Sequence, residues 1–221
     1  MNRYGRKIWG VAACFAALAG YVDALGFLYL GGFFVSFMSG NSTRLAVGLS
    51  THLSDAAMAA GLIGSFVVGV MLGSFGGRVI QRSRHSALIY LIAVMLSAAA
   101  LLAMFGANWA AAAVLAMAMG AENALFERDG EVQIGLTYMT GTLVKFGQHL
   151  LSALMGGDRL GWLPYLLLWI GLVSGAILGA LSYRLVGHFA IWVAAGAALL
   201  LASWLHHRPV PLAGPIGRAV K

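Results

Sequence analysis

The sequence predicts an all-α polytopic membrane protein with about six transmembrane helices plus two broken or re-entrant helices, arranged as an inverted 3+3 internal repeat. Three observations carry this. Of the 221 residues 61% are hydrophobic and 10% charged, with a mean hydropathy of +0.87, which no water-soluble domain resembles. Apolar runs recur along the chain, and each is long enough at ~1.5 Å per residue to cross a hydrocarbon core roughly 30 Å thick. The second half of the chain also echoes the first. Water-soluble enzyme folds are thereby excluded. The alternating pattern of outer-membrane barrels is absent, and 30 glycines against 4 prolines suit close helix packing. The chain reads as a single membrane domain over 1–221, and its one cysteine, Cys14, excludes an intrachain disulfide.

Apolar segments fall at about 8–29, 33–50, 57–80, 86–106, 109–126, 133–153, 162–184 and 186–205. The first follows Arg3, Arg6 and Lys7, and Ala17-Leu18-Ala19 before Gly20 has the form of a leader cleavage site. A cleaved leader should have no counterpart deeper in the chain, yet this segment has one. The second segment contains Ser39-Gly40-Asn41-Ser42-Thr43-Arg44, a run without a large apolar side chain. Unwound backbone at membrane depth is tolerated only where protein buries it or it lines a water-filled cavity, so a broken or re-entrant helix is predicted. The alternative is an ordinary spanning helix whose small polar face packs on a neighbour. The sixth segment repeats this feature at Thr140-Gly141-Thr142. The third and seventh segments carry glycine ladders, Gly69, Gly73 and Gly77 in one and Gly171, Gly175 and Gly179 in the other. Each ladder allows close backbone approach, either between the halves of the chain or between two copies in a homo-oligomer.

The first repeat covers 8–106 and the second 109–206. Gly20-Tyr21-Val22-Asp23-Ala24-Leu25 matches Gly120-Ala121-Glu122-Asn123-Ala124-Leu125 at an offset of 100. Ser36-Phe37-Met38-Ser39-Gly40-Asn41 matches Thr137-Tyr138-Met139-Thr140-Gly141-Thr142 at 101, and the glycine ladders match at 102. Three matches in order at near-constant offset mark an internal repeat. Charge decides its sense. If all eight segments span, with the N-terminus inside, 7 Lys/Arg lie inside and 5 outside; if the second and sixth only dip in, 11 lie inside and only Arg184 outside. The positive-inside rule favours six passes, which inverts the second half relative to the first. The net charge of +7 is therefore assigned to cytoplasmic turns and tails (Arg78, Arg82 and Arg84; Arg208, Arg218 and Lys221) rather than to nucleic-acid binding.

Gly20-Tyr21-Val22-Asp23, Phe37-Met38-Ser39-Gly40-Asn41, Met119-Gly120-Ala121-Glu122-Asn123-Ala124 and Thr137-Tyr138-Met139-Thr140-Gly141-Thr142 together resemble the YoaK family of bacterial membrane proteins of unknown function, over nearly the whole chain. The resemblance implies a multi-pass protein of the bacterial inner membrane and supplies no activity. The chain departs from the family pattern at Ser39, where Thr is usual, and at Glu122, where Gln is usual.

Ionisable groups inside a bilayer cost at least ~2.5 to 3.5 kcal/mol each at a helix centre, so those that persist need a partner or a cavity. Asp23 and Glu122 lie on one pair of equivalent segments, Arg44 and Lys145 on the other. They form either a midplane site, where the bases attract an anion and the acids exchange a coupling proton, or two fixed ion pairs that hold the repeats together. Half-helices beginning at Ser39 and Thr140 would turn their free N–H groups and positive dipole ends inward, a ready place for an anionic group. Gly40, Asn41, Asn123, Gly141 and Thr142 complete the candidate substrate-binding set. The alternative is that Ser, Thr and Asn merely cap buried helix ends. His149 shares a helix face with Lys145, and the turn from Glu127 to Glu131 reads as a solvated loop.

No metalloprotease, serine-hydrolase, nucleotide-binding or paired-cysteine motif occurs, so no enzyme activity, metal or cofactor is expected. The expected function is a transporter or channel for a small polar or anionic solute, with the lipid bilayer as surroundings and both termini cytoplasmic. The rivals are a non-transporting membrane scaffold or subunit with a structural polar core, and an intramembrane enzyme without a recognised motif.

Overall fold

The computed structural model describes residues 6–80, 84–128 and 130–207. Arg3, Arg82, Arg208, Arg218 and Lys221, which weigh in the charge argument, lie outside the described residues. The fold is all-helical: α1 (Arg6–Tyr29), α2 (Met38–Ser50), α3 (Leu53–Val79), α4 (Arg84–Met104), α5 (Asn108–Asn123), α6 (Met139–Leu154), α7 (Leu163–Val186) and α8 (Ala190–His207). A two-residue antiparallel ribbon, β1 (Glu127–Arg128) with β2 (Glu131–Val132), follows α5.

Length separates the helices into two kinds. α1, α3, α4, α5 with the 3-10 turn that continues it to Phe126, and the α7–α8 stretch are long and apolar enough to cross a membrane. The last is divided by Gly187, whose φ of 58° a side chain would strain. α2 has 13 residues and α6 has 16, so they extend about 20 and 24 Å, short of the hydrocarbon core. Both begin where the predicted apolar segment is already several residues old. The stretches before Met38 and Met139 are non-helical, and the first helical N–H groups bond back to Phe37 (Asn41 N–H, 3.3 Å) and Tyr138 (Thr142 N–H, 3.0 Å). Neither Phe37 nor Tyr138 makes a side-chain cap. Ser39 and Thr140 sit inside the first turns, so they do not fill the capping role open to them by residue type.

The core is organised by two crossings, α1 along α7 and α3 along α5, with α4 packed on α5 and α8. The glycine ladders make these crossings. A Cβ on Gly171, Gly175 or Gly179 would fall 2.5, 1.9 or 2.4 Å from the carbonyl oxygens of Ala13, Ala17 and Tyr21; one on Gly69 would fall 2.0 Å from that of Met117. The contacts are reciprocal, since Gly20 meets the Leu172 carbonyl and Gly120 the Phe66 carbonyl, each at 2.1 Å. Gly77 leaves the pattern and faces the Arg84 guanidinium instead. These glycine faces are thus occupied within one chain. Phe15, Ile92, Leu96 and Leu115 are fully buried, whereas Phe75, Leu154, Leu185 and Leu200 are more than two-thirds exposed. So extensive an apolar exterior is a liability in water and the ordinary outer surface in lipid.

Candidate solute site

Two cavities meet where the non-helical stretches enter the bundle. The larger, about 680 Å³, lies between α1 and α7. Gly20, Asp23, Ala24 and Phe27 line it on one side, Leu172, Val173, Ala176 and Ala180 on the other, and Phe34, Ser36, Phe37, Thr137 and Met139 at its inner end. The smaller, about 280 Å³, shares Ser36, Phe37, Thr137 and Met139 and adds Met38, Ser39, Tyr138, Thr140, Gly141 and Phe66. Eight of its ten lining residues form four sequence-equivalent pairs: Ser36 with Thr137, Phe37 with Tyr138, Met38 with Met139, and Ser39 with Thr140. Phe66 is the middle residue of α3, which fixes the depth of this cavity near the centre of the bundle. The N-terminal turns of α2 and α6 both open on it. Their leading N–H groups precede the first intrahelical bonds, and the positive ends of both dipoles converge there.

The polar residues divide by task. Asp23 Oδ1 accepts the N–H groups of Val35 (2.9 Å) and Ser36 (2.8 Å), which holds the entering strand of chain against α1. At the equivalent place Asn123 Oδ1 accepts the Thr137 hydroxyl (3.2 Å), while its amide donates to the Met119 carbonyl (3.0 Å). Asn41 is fully buried and clamps the backbone of Phe34 from both sides, accepting its N–H at 3.0 Å and donating to its carbonyl at 2.6 Å. Thr142, its counterpart, only bonds back to the Tyr138 carbonyl at 3.1 Å. Gly40 packs against the rings of Phe37 and Phe34, so Gly141 reaches the smaller cavity and Gly40 does not.

The charged candidates do not assemble as the sequence suggests. Arg44 lies with its guanidinium 4.9 Å from the centre of the Phe33 ring, and Lys145 is exposed; neither lines either cavity. Each base stands five residues past Ser39 or Thr140, and five residues turn a helix by about 140° beyond a full turn, which faces it away. Glu122 is fully buried, and neither carboxyl oxygen has a hydrogen-bond partner among the described residues. It lies off both cavities, as does Asn123, which reaches them only through its bond to Thr137. Neither proposed ion pair forms, since Asp23 is bonded to backbone and Glu122 is unpaired. The acidic turn also differs from expectation: the Glu127 side chain is 8% exposed, bonds the Ser74 hydroxyl and lies 3.9 Å from Arg84, whose Nη2 donates to the Ala124 carbonyl at 3.2 Å.

Sequence reasoning passed over the aromatic lining. Phe27, Phe34 and Phe37 form a chain of rings with centroids 5.0 and 5.2 Å apart, beside Asp23. Ser36 and Thr137 head the matched motifs and were legible as a pair, but nothing in the spacing marked Phe27 or Phe34 as facing the same space. His149 stacks on Tyr165 with centroids 5.0 Å apart, a packing role on the α6–α7 contact.

Residues 11–204 match the family described as "Protein of unknown function (DUF1275)". The chain is also 39% identical over 193 residues to the UPF0700 transmembrane protein RA0705 of Rhizobium meliloti (strain 1021), an alignment that covers 87% of this chain and 84% of that one. No solved structure matches it. With its helices, its apolar exterior and a transmembrane relative, the chain is an integral membrane protein that belongs to the DUF1275 family, as its motifs led us to expect.

Proposed function

We propose that the protein is a transporter or channel for a small polar solute, built as an inverted 3+3 repeat in which α2 and α6 are re-entrant helices. The observation that carries this is the smaller cavity, where equivalent residues of the two halves and the N-termini of two short helices meet at the depth of the α3 midpoint. Unwound backbone at that depth is the usual form of a solute site in repeat-built transporters. The reciprocal glycine contacts at α1/α7 and α3/α5 support the repeat, and the six-pass charge count supports a bacterial inner-membrane orientation with both termini cytoplasmic. The anionic form of the proposal loses its bases, as Arg44 and Lys145 stand away from the cavities. The scaffold reading draws on Asp23 and Asn41, whose bonds to backbone are structural. Cysteine accessibility separates the two. In a Cys14→Ala background, Ser39→Cys and Thr140→Cys should react with a membrane-impermeant thiol reagent, and Arg82→Cys should react only from the cytoplasmic face. A dry, unreactive pair at 39 and 140 favours the scaffold, and an external label at 82 overturns the six-pass arrangement.

A further inference from the structure

The larger cavity has a chemistry of its own. Its volume suits a drug-sized ligand, and its polar lining consists of Asp23, Ser36 and Thr137 among apolar neighbours. No Lys, Arg or His lines either cavity among the described residues, so the Asp23 carboxyl is the one ionisable group there apart from the Tyr138 phenol. Asp23 uses Oδ1 for the backbone of Val35 and Ser36. Beside it stand the rings of Phe27, Phe34 and Phe37, of which Phe27 and Phe37 are each more than one-third exposed.

We propose that the cavity between α1 and α7 is a binding site for an apolar organic cation, an amine or quaternary ammonium whose charge meets Asp23 and whose alkyl or aryl groups lie on the phenylalanine rings. A carboxylate supplies the opposite charge among largely apolar walls, where charge pairing is stronger than in bulk water. Aromatic faces attract a cation through their quadrupole and also bury its hydrocarbon, which a hydrated inorganic cation lacks. An anion meets the carboxylate with nothing to offset it. The open rim, formed in part by exposed Phe27, Leu28 and Ile177, gives such a ligand an apolar way in. The inference draws on the transporter reading only for the fate of the ligand; binding itself needs no transport.

The test is binding to the purified full-length protein in a neutral detergent, with three probes of similar size: phenyltrimethylammonium, its uncharged isostere tert-butylbenzene, and benzenesulfonate. Saturable binding of the cation at least about tenfold tighter than the isostere is expected, with none for the sulfonate. Asp23→Asn keeps an oxygen for the two backbone N–H groups and should bring the cation down to the isostere. Phe27→Leu keeps apolar area but removes a ring and should weaken the cation about two- to fivefold. Arg44→Gln should change nothing. Should Asp23→Asn fail to fold, Val173→Trp fills the cavity from α7 and should abolish binding in a protein that still elutes as folded. Equal binding of the isostere, binding of benzenesulfonate, no saturable cation binding, or cation binding that survives both Asp23→Asn and Val173→Trp each overturns the proposal. Failure of the cation to bind leaves the thiol-accessibility result at Ser39 and Thr140 unaffected, so the two readings fail separately.

Discussion

The α1/α7 crossing and the α3/α5 crossing share a backbone plan and differ in what fills it. Both are closed by glycine against carbonyl, and both end beside the stretch that leads into a short helix. At α1/α7 the positions Asp23, Phe27 and Ala176 line an open cavity. At α3/α5 the sequence-equivalent positions are Asn123, Glu127 and Ser74, and they are bonded instead: Asn123 to Thr137, and Ser74 to Glu127, with Arg84 beside it. An apolar phenylalanine and an alanine leave space where a glutamate and a serine close it by hydrogen bonding. Backbone geometry is thus set by the small residues common to the two halves, and access by a few side chains that are not. The same holds at buried position 122, a glutamate on α5 where α1 has fully buried Val22.

The shared part of the comparison breaks first. Gly175→Ala and Gly69→Ala each drive a methyl to 2 Å or less of a backbone carbonyl, at Ala17 and Met117, and neither crossing can widen without parting its helices. Each should cost at least the 1–3 kcal/mol usual for overpacking, seen as loss of the monodisperse folded fraction in detergent. Gly61→Ala, on α3 but with nothing within 4 Å, should behave as wild type. Equal tolerance of all three would mean that the crossings are looser than described.

Next come the two short helices. Asn41→Ala strips the side-chain partner from both backbone groups of half-buried Phe34 and should lower stability by about 2–3 kcal/mol, whereas Thr142→Ala removes only a bond back to its own helix and should cost less than about 1 kcal/mol. A thermal-melt comparison checks this, and similar shifts for the two would dissolve the asymmetry between α2 and α6.

One last change sharpens the comparison in the other direction. Among the described residues Glu122 has no partner for either oxygen, and a buried polar group without one costs about 1–3 kcal/mol. Glu122→Met, which makes α5 apolar where α1 carries Val22, should therefore raise the melting temperature. A fall would show that the carboxyl holds something the protein needs.

Much of the fold was legible because membrane solvation leaves few choices. Hydropathy located all eight helices to within a few residues, since an apolar stretch with internally satisfied backbone is the one thing a bilayer accepts. The glycine ladders announced two close crossings because only glycine permits such approach, and the matched Ser36 and Thr137 motifs identified positions that do meet at the smaller cavity. The charged residues were misread for a reason of angle. Spacing along the chain brought Arg44 and Lys145 near the motifs, but which way a side chain faces depends on where its helix starts and what the helix lies against. Whether Glu122 or Asn123 meets Thr137 is decided by about 100° of rotation around α5, and no composition records it. The cavity between α1 and α7, with its carboxyl and its three rings, exists only once two distant helices are placed side by side, because its walls belong to residues more than a hundred positions apart.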